Sequence, residues 1–348
     1  MEASVYQLIK PYLSVPWAIA TGFLAPLVRD TRAEIRDKRS EEATQEKTTA
    51  SVAYLKLHGV IVPDVPDFYE SYGFVNPKRM MQKLKAAADS KDIKETILSV
   101  NSPGGVALLI DELADAVAYH ASLKPIRAVV NGYGASAGYW VMSMATEIIA
   151  TRLSAVGSIG VITGHADWSK AYEEAGIDLK FYRTASQKAL GQQTDPNDDL
   201  MNDVTMLELN AILSIFADDV AKGRKLDTQT VLERYALDSE HPDALRGNTV
   251  LGSEAVRLGL ADRLGTVEDV LTEAVARVSK TTQRQFAILP ARRKDIMNET
   301  ELWALLQSEN ATEEQIKAAI AKFQAHQVRT EASRIAGILG VESSDANL

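Results

Sequence analysis

The sequence predicts an α/β fold built around a parallel sheet, on three observations. Strand-like and helix-like segments alternate from residue 52 to residue 183, and such alternation implies parallel βαβ units. Two glycine-rich turns each follow an apolar strand. The composition is that of a globular chain, with 46% hydrophobic and 24% charged residues over 348 positions. That excludes a collagen-like or largely disordered protein and fits about two domains.

The N-terminal run 11–28 (PYLSVPWAIATGFLAPLV) is apolar but interrupted by Pro11, Pro16 and Pro26. A bilayer span needs about 20 helix-compatible apolar residues. A signal peptide needs a basic start, where this chain has Glu2. The run is therefore expected to be a short helix or turn packed on the body, or a partner-docking arm, and not a stable membrane anchor. Residues 29–47 crowd charges of both signs and read as a solvated helix or linker. Residues 1–50 are thus expected to form an arm and a charged linker.

The main domain is expected over 51–280. Residues 52–62 (VAYLKLHGVIV) read as strand, glycine turn and strand. Asn76-Pro77 opens a helix with Met80, Leu84 and Ala87 on one face. A strand is expected at 96–100, a helix at 106–121, a strand at 126–130 and a helix at 136–145. Strands at 147–151 and 158–163 follow, then a helix near 167–175 and a strand at 178–183. Residues 198–222 form a long amphipathic helix whose stripe (Leu200, Val204, Leu207, Ala211, Ile215) suits core or subunit contact. A helical patch at 227–236 leads to TVLGSEAVRLGLADRLG. That run reads as a strand, a helix capped by Ser253 and stopped by Gly259, and a second strand. A helix at about 266–279 closes the domain. Residues 281–348 are expected to be a linker and a helical, scaffold-like tail, with helix starts at Asn298 and Thr312. The basic stretch 291–294 is the expected self-cleavage region.

Composition narrows the chemistry. With 38 Lys+Arg against 47 Asp+Glu, the net charge is −9, which argues against a nucleic-acid partner. There is no Cys, so disulfides, Cys-based zinc sites and thiol nucleophiles are excluded. No metal and no cofactor are expected.

The two glycine-rich turns hold the candidate site. In Asn101-Ser102-Pro103-Gly104-Gly105 the paired glycines are either a plain turn or the unshielded backbone donors of an oxyanion hole. In Gly134-Ala135-Ser136-Ala137-Gly138-Tyr139-Trp140 a serine stands at a strand-to-helix turn, as a nucleophile or as an N-cap. A nucleophilic serine needs a base. Among five histidines, His165 is the one to weigh. The other route is a desolvated lysine that accepts the serine proton, for which Lys188 lies among small and apolar neighbours. Spacing alone does not choose between them.

Taken together, HGVI (58–61), NSPGG (101–105), GASAGYW (134–140), VGSIGV (156–161) and GSEAVRLGLADRLG (252–265) resemble the S49 family of serine peptidases, the signal peptide peptidase A group. The resemblance covers about 52–280 and implies a ClpP/crotonase-type fold of repeated ββα units. It implies Ser136 as nucleophile, Lys188 as general base and Ser158 as the hydroxyl that orients the lysine. Gly105 and the Ala137 N–H become oxyanion donors, and Gly104 shapes their turn. The run QKALGQQTDP departs from the usual Lys-x-Asp-Gly-x-Pro pattern around that lysine.

A single-copy chain with a helical tail further resembles the phage head maturation branch, the minor capsid protein C group. That implies a homo-oligomeric endopeptidase acting on scaffold, capsid or portal proteins and on itself. It would work in the host bacterial cytoplasm and the immature head. The alternatives are a cellular signal-peptide-peptidase-like protease, a crotonase-fold acyl-CoA enzyme using the same oxyanion hole for an enolate, and a structural capsid component with a decayed site.

Overall fold

The computed structural model describes residues 15–20, 51–165, 167–190 and 199–288. In chain order the strands are β1 (Trp17–Ile19), β2 (Val52–His58), β3 (Val60–Ile61), β4 (Phe74–Val75), β5 (Glu95–Ser102), β6 (Gly104–Val106) and β7 (Ile126–Ala135). Then come β8 (Glu147–Ala150), β9 (Ala155–Gly157), β10 (Thr249–Leu251) and β11 (Arg263–Leu264). The α-helices are α1 (Pro77–Asp89), α2 (Ile110–Leu123), α3 (Ala137–Ser143), α4 (Ser169–Glu174), α5 (Asp199–Arg224), α6 (Thr228–Val231), α7 (Gly252–Leu258) and α8 (Val267–Ile288).

The larger sheet is parallel at its centre. β5 lies between β2 and β7, with seven parallel register pairs from Val52↔Glu95 to His58↔Asn101 on its β2 side. β7 is long enough to serve two partners on its far edge. Its first half pairs with β8 and its last three residues with β9, both in parallel. β5 is almost wholly buried, and β7 is buried at Ile126, Ala128–Val130 and Gly134–Ala135, as expected of a sheet covered on both faces over most of its length. The smaller sheet runs β1-β6-β3-β4. Here β1 is antiparallel to β6.

Helix ends follow local chemistry. The Asn76 side chain accepts from the N–H groups of Lys78 and Arg79, with Pro77 at the first helical position, as capping rules require. α5 changes character along its length. Phe216, Ala217, Val220 and Ala221 are buried in the core, whereas Leu200, Met206, Leu207 and Ile215 are exposed. No residue of the expected stripe is core; α5 enters the core only at its C-terminal end, through residues beyond the stripe.

Several expectations are corrected. Within the run 11–28, residues 17–19 are a buried strand rather than a helix or turn, because β6 and Ile162 supply main-chain partners on both of its edges. The helix expected from 106 starts at Ile110, since Gly104–Val106 are β6. The strand expected at 158–163 lies earlier, at Ala155–Gly157. Ser158 takes φ 55°, which breaks an extended strand, and only Ile162 makes an isolated bridge. Residues 178–183 are exposed and irregular, because a lone extended segment has no ladder without a partner. The residue at the N-cap of α7 is Leu251, and Ser253 lies inside the helix. Gly259 does stop that helix in the left-handed conformation. α8 continues to Ile288, through positions expected to be linker.

The chain divides into a unit of Met1–Thr48 with Val52–Ala274 and a second unit of Thr49–Ser51 with Val275–Leu348. In the second unit the described part includes the C-terminal stretch of α8. The charged segment 29–47, the stretch 291–294 and the helix starts at Asn298 and Thr312 lie outside the described residues. Among the described residues no helix is long and apolar enough to cross a membrane, and no cluster of His, Asp or Glu could hold a metal.

Candidate active site

β7 ends and α3 begins at Ser136. Its backbone sits at φ 53°, ψ −122°, the conformation of the first central residue of a type II′ turn, where glycine is favoured. A serine held there costs about 1–3 kcal/mol. The neighbours hold it in place. Ser136 N–H donates to the Gly157 carbonyl at 2.8 Å, and the Ser136 carbonyl accepts from Trp140 N–H at 2.8 Å. Every residue of α3 is buried. Tyr139 donates its hydroxyl to the Leu260 carbonyl at 3.0 Å. The Trp140 indole N–H donates to Asp219 at 2.7 Å, and its ring stacks on Phe216 at 4.5 Å. Burial pushes the Asp219 carboxyl above its ordinary range, although the indole N–H pulls the other way. The helix behind Ser136 is therefore bolted to α5 and to the segment after α7.

The hydroxyl itself is weakly engaged. Ser136 occupies the N-cap position of α3 but makes no side-chain capping bond. Its Oγ reaches only the Gly160 carbonyl, at 3.4 Å, the outer limit of a hydrogen bond. The capping role weighed for this serine is thus not the one it plays.

The other glycine-rich turn lies alongside. Gly104 has φ 105°, and a Cβ built on it would lie 2.1 Å from the Ala18 carbonyl oxygen and 3.0 Å from the Ala137 nitrogen. A Cβ on Gly105 would lie 1.9 Å from the Ile61 carbonyl oxygen. Both positions need glycine because other backbone passes where a side chain would stand. Ala137 is the first residue of α3, so its N–H has no intrahelical acceptor. A serine hydroxyl on a strained turn, with the Ala137 N–H at a helix start and a side-chain-free glycine turn alongside, is an arrangement suited to acyl transfer.

Of the sequence-predicted residues, the structure brings Ser136, Ala137 and Gly104 together, with Gly105 next in the chain. Ser158 is nearby and 5% exposed. It directly follows Gly157, whose carbonyl binds the Ser136 amide, and its own N–H donates to Asn248 at 3.0 Å. Lys188 stands apart. It lies in a 3₁₀ turn, Ser186–Ala189, with its side chain exposed, and no hydrogen bond joins it to Ser136. His165 is half-buried, with Nε2 buried and unpartnered among the described residues, and it does not bond Ser136 either.

Sequence reasoning missed three positioning groups. Asn101 Oδ1 accepts from Tyr133 N–H at 3.0 Å and so ties the first glycine-rich turn to the second. Ser102 Oγ donates to the Gly59 carbonyl at 2.6 Å and accepts from Gly104 N–H at 3.2 Å. The third is β1, whose Ala18 lies over Gly104 and Gly105. The available signals were the polar pair opening NSPGG and the strand-like VPWAIA inside a proline-broken run.

Residues 118–280 match Peptidase family S49. Capsid assembly protease C of Escherichia phage lambda is 26% identical over 326 residues, covering 88% of this chain and 69% of that protein. A putative signal peptide peptidase SppA of Enterococcus faecium is 30% identical over 240 residues, covering 68% of this chain and 66% of that protein. Head-tail preconnector protein GP5 of Enterobacteria phage P21 is 24% identical over 221 residues, 64% of this chain and 42% of that protein. Within this chain, residues 118–280 are therefore a Peptidase family S49 domain.

Proposed function

We propose that this chain is a serine endopeptidase on a ClpP/crotonase-type core, with Ser136 as nucleophile and Lys188 as general base. Ser158 orients the lysine, and Gly105 N–H and Ala137 N–H stabilise the oxyanion, with Gly104 shaping the turn. The observation that carries the chemistry is the strained Ser136 with a hydroxyl that neither caps its helix nor finds a good acceptor. Such strain persists where surrounding structure over-determines it, commonly at working sites. The exposed lysine is completed against Ser136 in a homo-oligomer, for which the exposed apolar half of α5 supplies contact surface.

The proposed substrates are scaffold, capsid or portal proteins during phage head assembly. The support is the extent of similarity: the lambda capsid protease aligns over 88% of this chain, against 68% for the bacterial SppA. Co-expression with the scaffold and capsid genes, with products mapped by mass, tests this. Wild type should cleave them, and Ser136→Ala and Lys188→Ala should not, while His165→Ala should remain active. The reverse outcome for Lys188 and His165 would replace the dyad by a Ser-His arrangement. Mixing inactive Ser136→Ala with inactive Lys188→Ala recovers activity where neighbouring copies share a site.

A further inference from the structure

We infer that β1 is an internal occupant of the peptide-binding cleft, an inhibitory strand that must leave before a substrate can enter. This rests on the reading of Ser136, Gly105 and Ala137 as nucleophile and oxyanion donors.

The slot that β1 fills has two walls, and both come from site-bearing segments. One wall is β6, immediately after the NSPGG turn. The register is Trp17↔Val106, Ala18↔Gly105 and Ile19↔Gly104, antiparallel. Ala107 N–H donates to the Pro16 carbonyl at 3.0 Å, and Ala20 N–H donates to the Pro103 carbonyl at 2.7 Å. The other wall is the chain just beyond Ser158 and Gly160. Trp17 and Ile162 exchange both of their main-chain hydrogen bonds at 2.8 Å. Residues 16–20 are thus paired along the β6 edge, and Trp17 is gripped on the other edge as well, which is how an extended peptide is held by strand addition.

The position along the slot is equally specific. The Ala18 carbonyl oxygen crowds the face of Gly104, and the Ala137 nitrogen crowds the same face. An acyl carbonyl awaiting attack has to point its oxygen toward the Gly105 and Ala137 N–H groups, and Ala18, opposite Gly105 in the ladder, stands where the scissile residue of a substrate would. Side chains alternate as a strand requires. Trp17 and Ile19 are buried in a separate apolar cluster with Val62, Val65, Phe74 and Val106, while Ala18 belongs to the main core with Ile61 and Ala137. A nucleophile that must meet protein substrates is fully buried in this state.

The same geometry names the substrate class. A segment that displaces β1 is extended and reads large apolar, small, apolar, like Trp17-Ala18-Ile19. Because the occupant is covalently attached, it competes at a high effective concentration, and a three-residue strand is short enough to be displaced.

The native chain has no Cys, so an introduced pair forms the only disulfide. Trp17 and Val106 face each other between the hydrogen-bonded pairs of the ladder, a spacing that suits a cross-strand bridge. The full-length Trp17→Cys/Val106→Cys protein is assayed oxidised and reduced on the substrate that wild type cleaves in the co-expression test, with Ser136→Ala setting the background. The oxidised form, verified by mass, should be at least tenfold slower than the same preparation after reduction. Equal rates would overturn the inference, making β1 a permanent wall while leaving the peptidase reading intact. Absence of any Ser136-dependent cleavage in wild type would overturn the peptidase reading and the inference with it. Full-length Trp17→Ala gives a second readout that needs no engineered pair. Its kcat/KM should rise severalfold, and a folded variant with unchanged or lower kcat/KM would count against the internal occupant.

Discussion

Replacing Ser136 by glycine and by alanine separates what the backbone costs from what the hydroxyl does. At φ 53°, ψ −122° an L-residue carries strain of about 1–3 kcal/mol, and alanine keeps all of it. Glycine relieves it but adds about 0.4–1 kcal/mol of freedom to the unfolded chain. The hydroxyl lost in both variants makes one marginal bond, at 3.4 Å to Gly160, whose contribution is below about 1 kcal/mol. Ser136→Gly should therefore be more stable than Ser136→Ala by about 1 kcal/mol. With a slope of about 2–3 kcal/mol per molar urea, the midpoint of Ser136→Gly should lie roughly 0.3–0.5 M higher. Both variants should lose peptide hydrolysis by several orders of magnitude. Urea titrations of the two proteins, followed by circular dichroism, measure the difference. Equal midpoints, or a lower midpoint for glycine, would refute the claim that this turn stores strain. Retained hydrolysis in either variant would refute the nucleophile.

Phe216→Ala should destabilise the protein by about 3–5 kcal/mol, because Phe216 is fully buried and stacks on Trp140 of α3. Thermal unfolding checks it, and a loss under 1 kcal/mol would show that α5 does not brace α3. Gly105→Ala places a methyl group 1.9 Å from the Ile61 carbonyl oxygen, so it should cost about 1–3 kcal/mol through forced backbone shifts and abolish hydrolysis. A fully active, equally stable variant would mean that β3 yields there freely. Stability should also fall on mild acidification. Burial lowers the His120 pKa below its ordinary 6.5, and burial followed by the Lys56 charge lowers that of His58. As pH drops through about 6.5, the unfolded chain binds protons that the folded chain refuses, so the contribution present above that pH is lost. The slope is at most about 1.4 kcal/mol per pH unit for each histidine. His120→Gln, which can still bond Thr96, should flatten the dependence of the urea midpoint between pH 6.5 and 5, and an unchanged slope would exclude His120 as a source.

The legible parts of the sequence are those where side chains report their own environment. The apolar runs of β5 and β7 and the Asn76-Pro77 start of α1 fall where expected, because burial and capping are local demands. The strand-to-helix turn at Ser136 is legible from the glycines and alanines around it, and the helix it opens is buried throughout. The misplaced strands share one physical cause. SIGVIT and DLKFYR have strand-forming residues, but a strand exists only where a second chain segment offers its edge, and the alphabet of the segment itself does not say so. The converse error is β1: three prolines made the run 11–28 look irregular, yet Trp17–Ile19 lies between two of them and finds partners on both edges.

The same distinction explains how the candidate site straddles the family match. Ser136, Ser158 and Lys188 lie within residues 118–280, whereas Gly104, Gly105, Asn101 and β1 lie before it. The first group contributes side chains, and a proposed nucleophile, orienting hydroxyl and base each constrain residue type directly. The second group acts mainly through main-chain groups: β6 offers N–H and C=O to whatever strand lies beside it, and it demands only that nothing project at positions 104 and 105. Recognition through the backbone leaves side chains of an incoming strand free to vary, apart from the pocket that takes Trp17 and Ile19. A cleft built this way would accept extended segments that offer apolar side chains to that pocket and a small one between them. It also accepts a segment of its own chain, so an occupant of that cleft has to be short and displaceable for the site to work, and the three residues of β1 meet that condition.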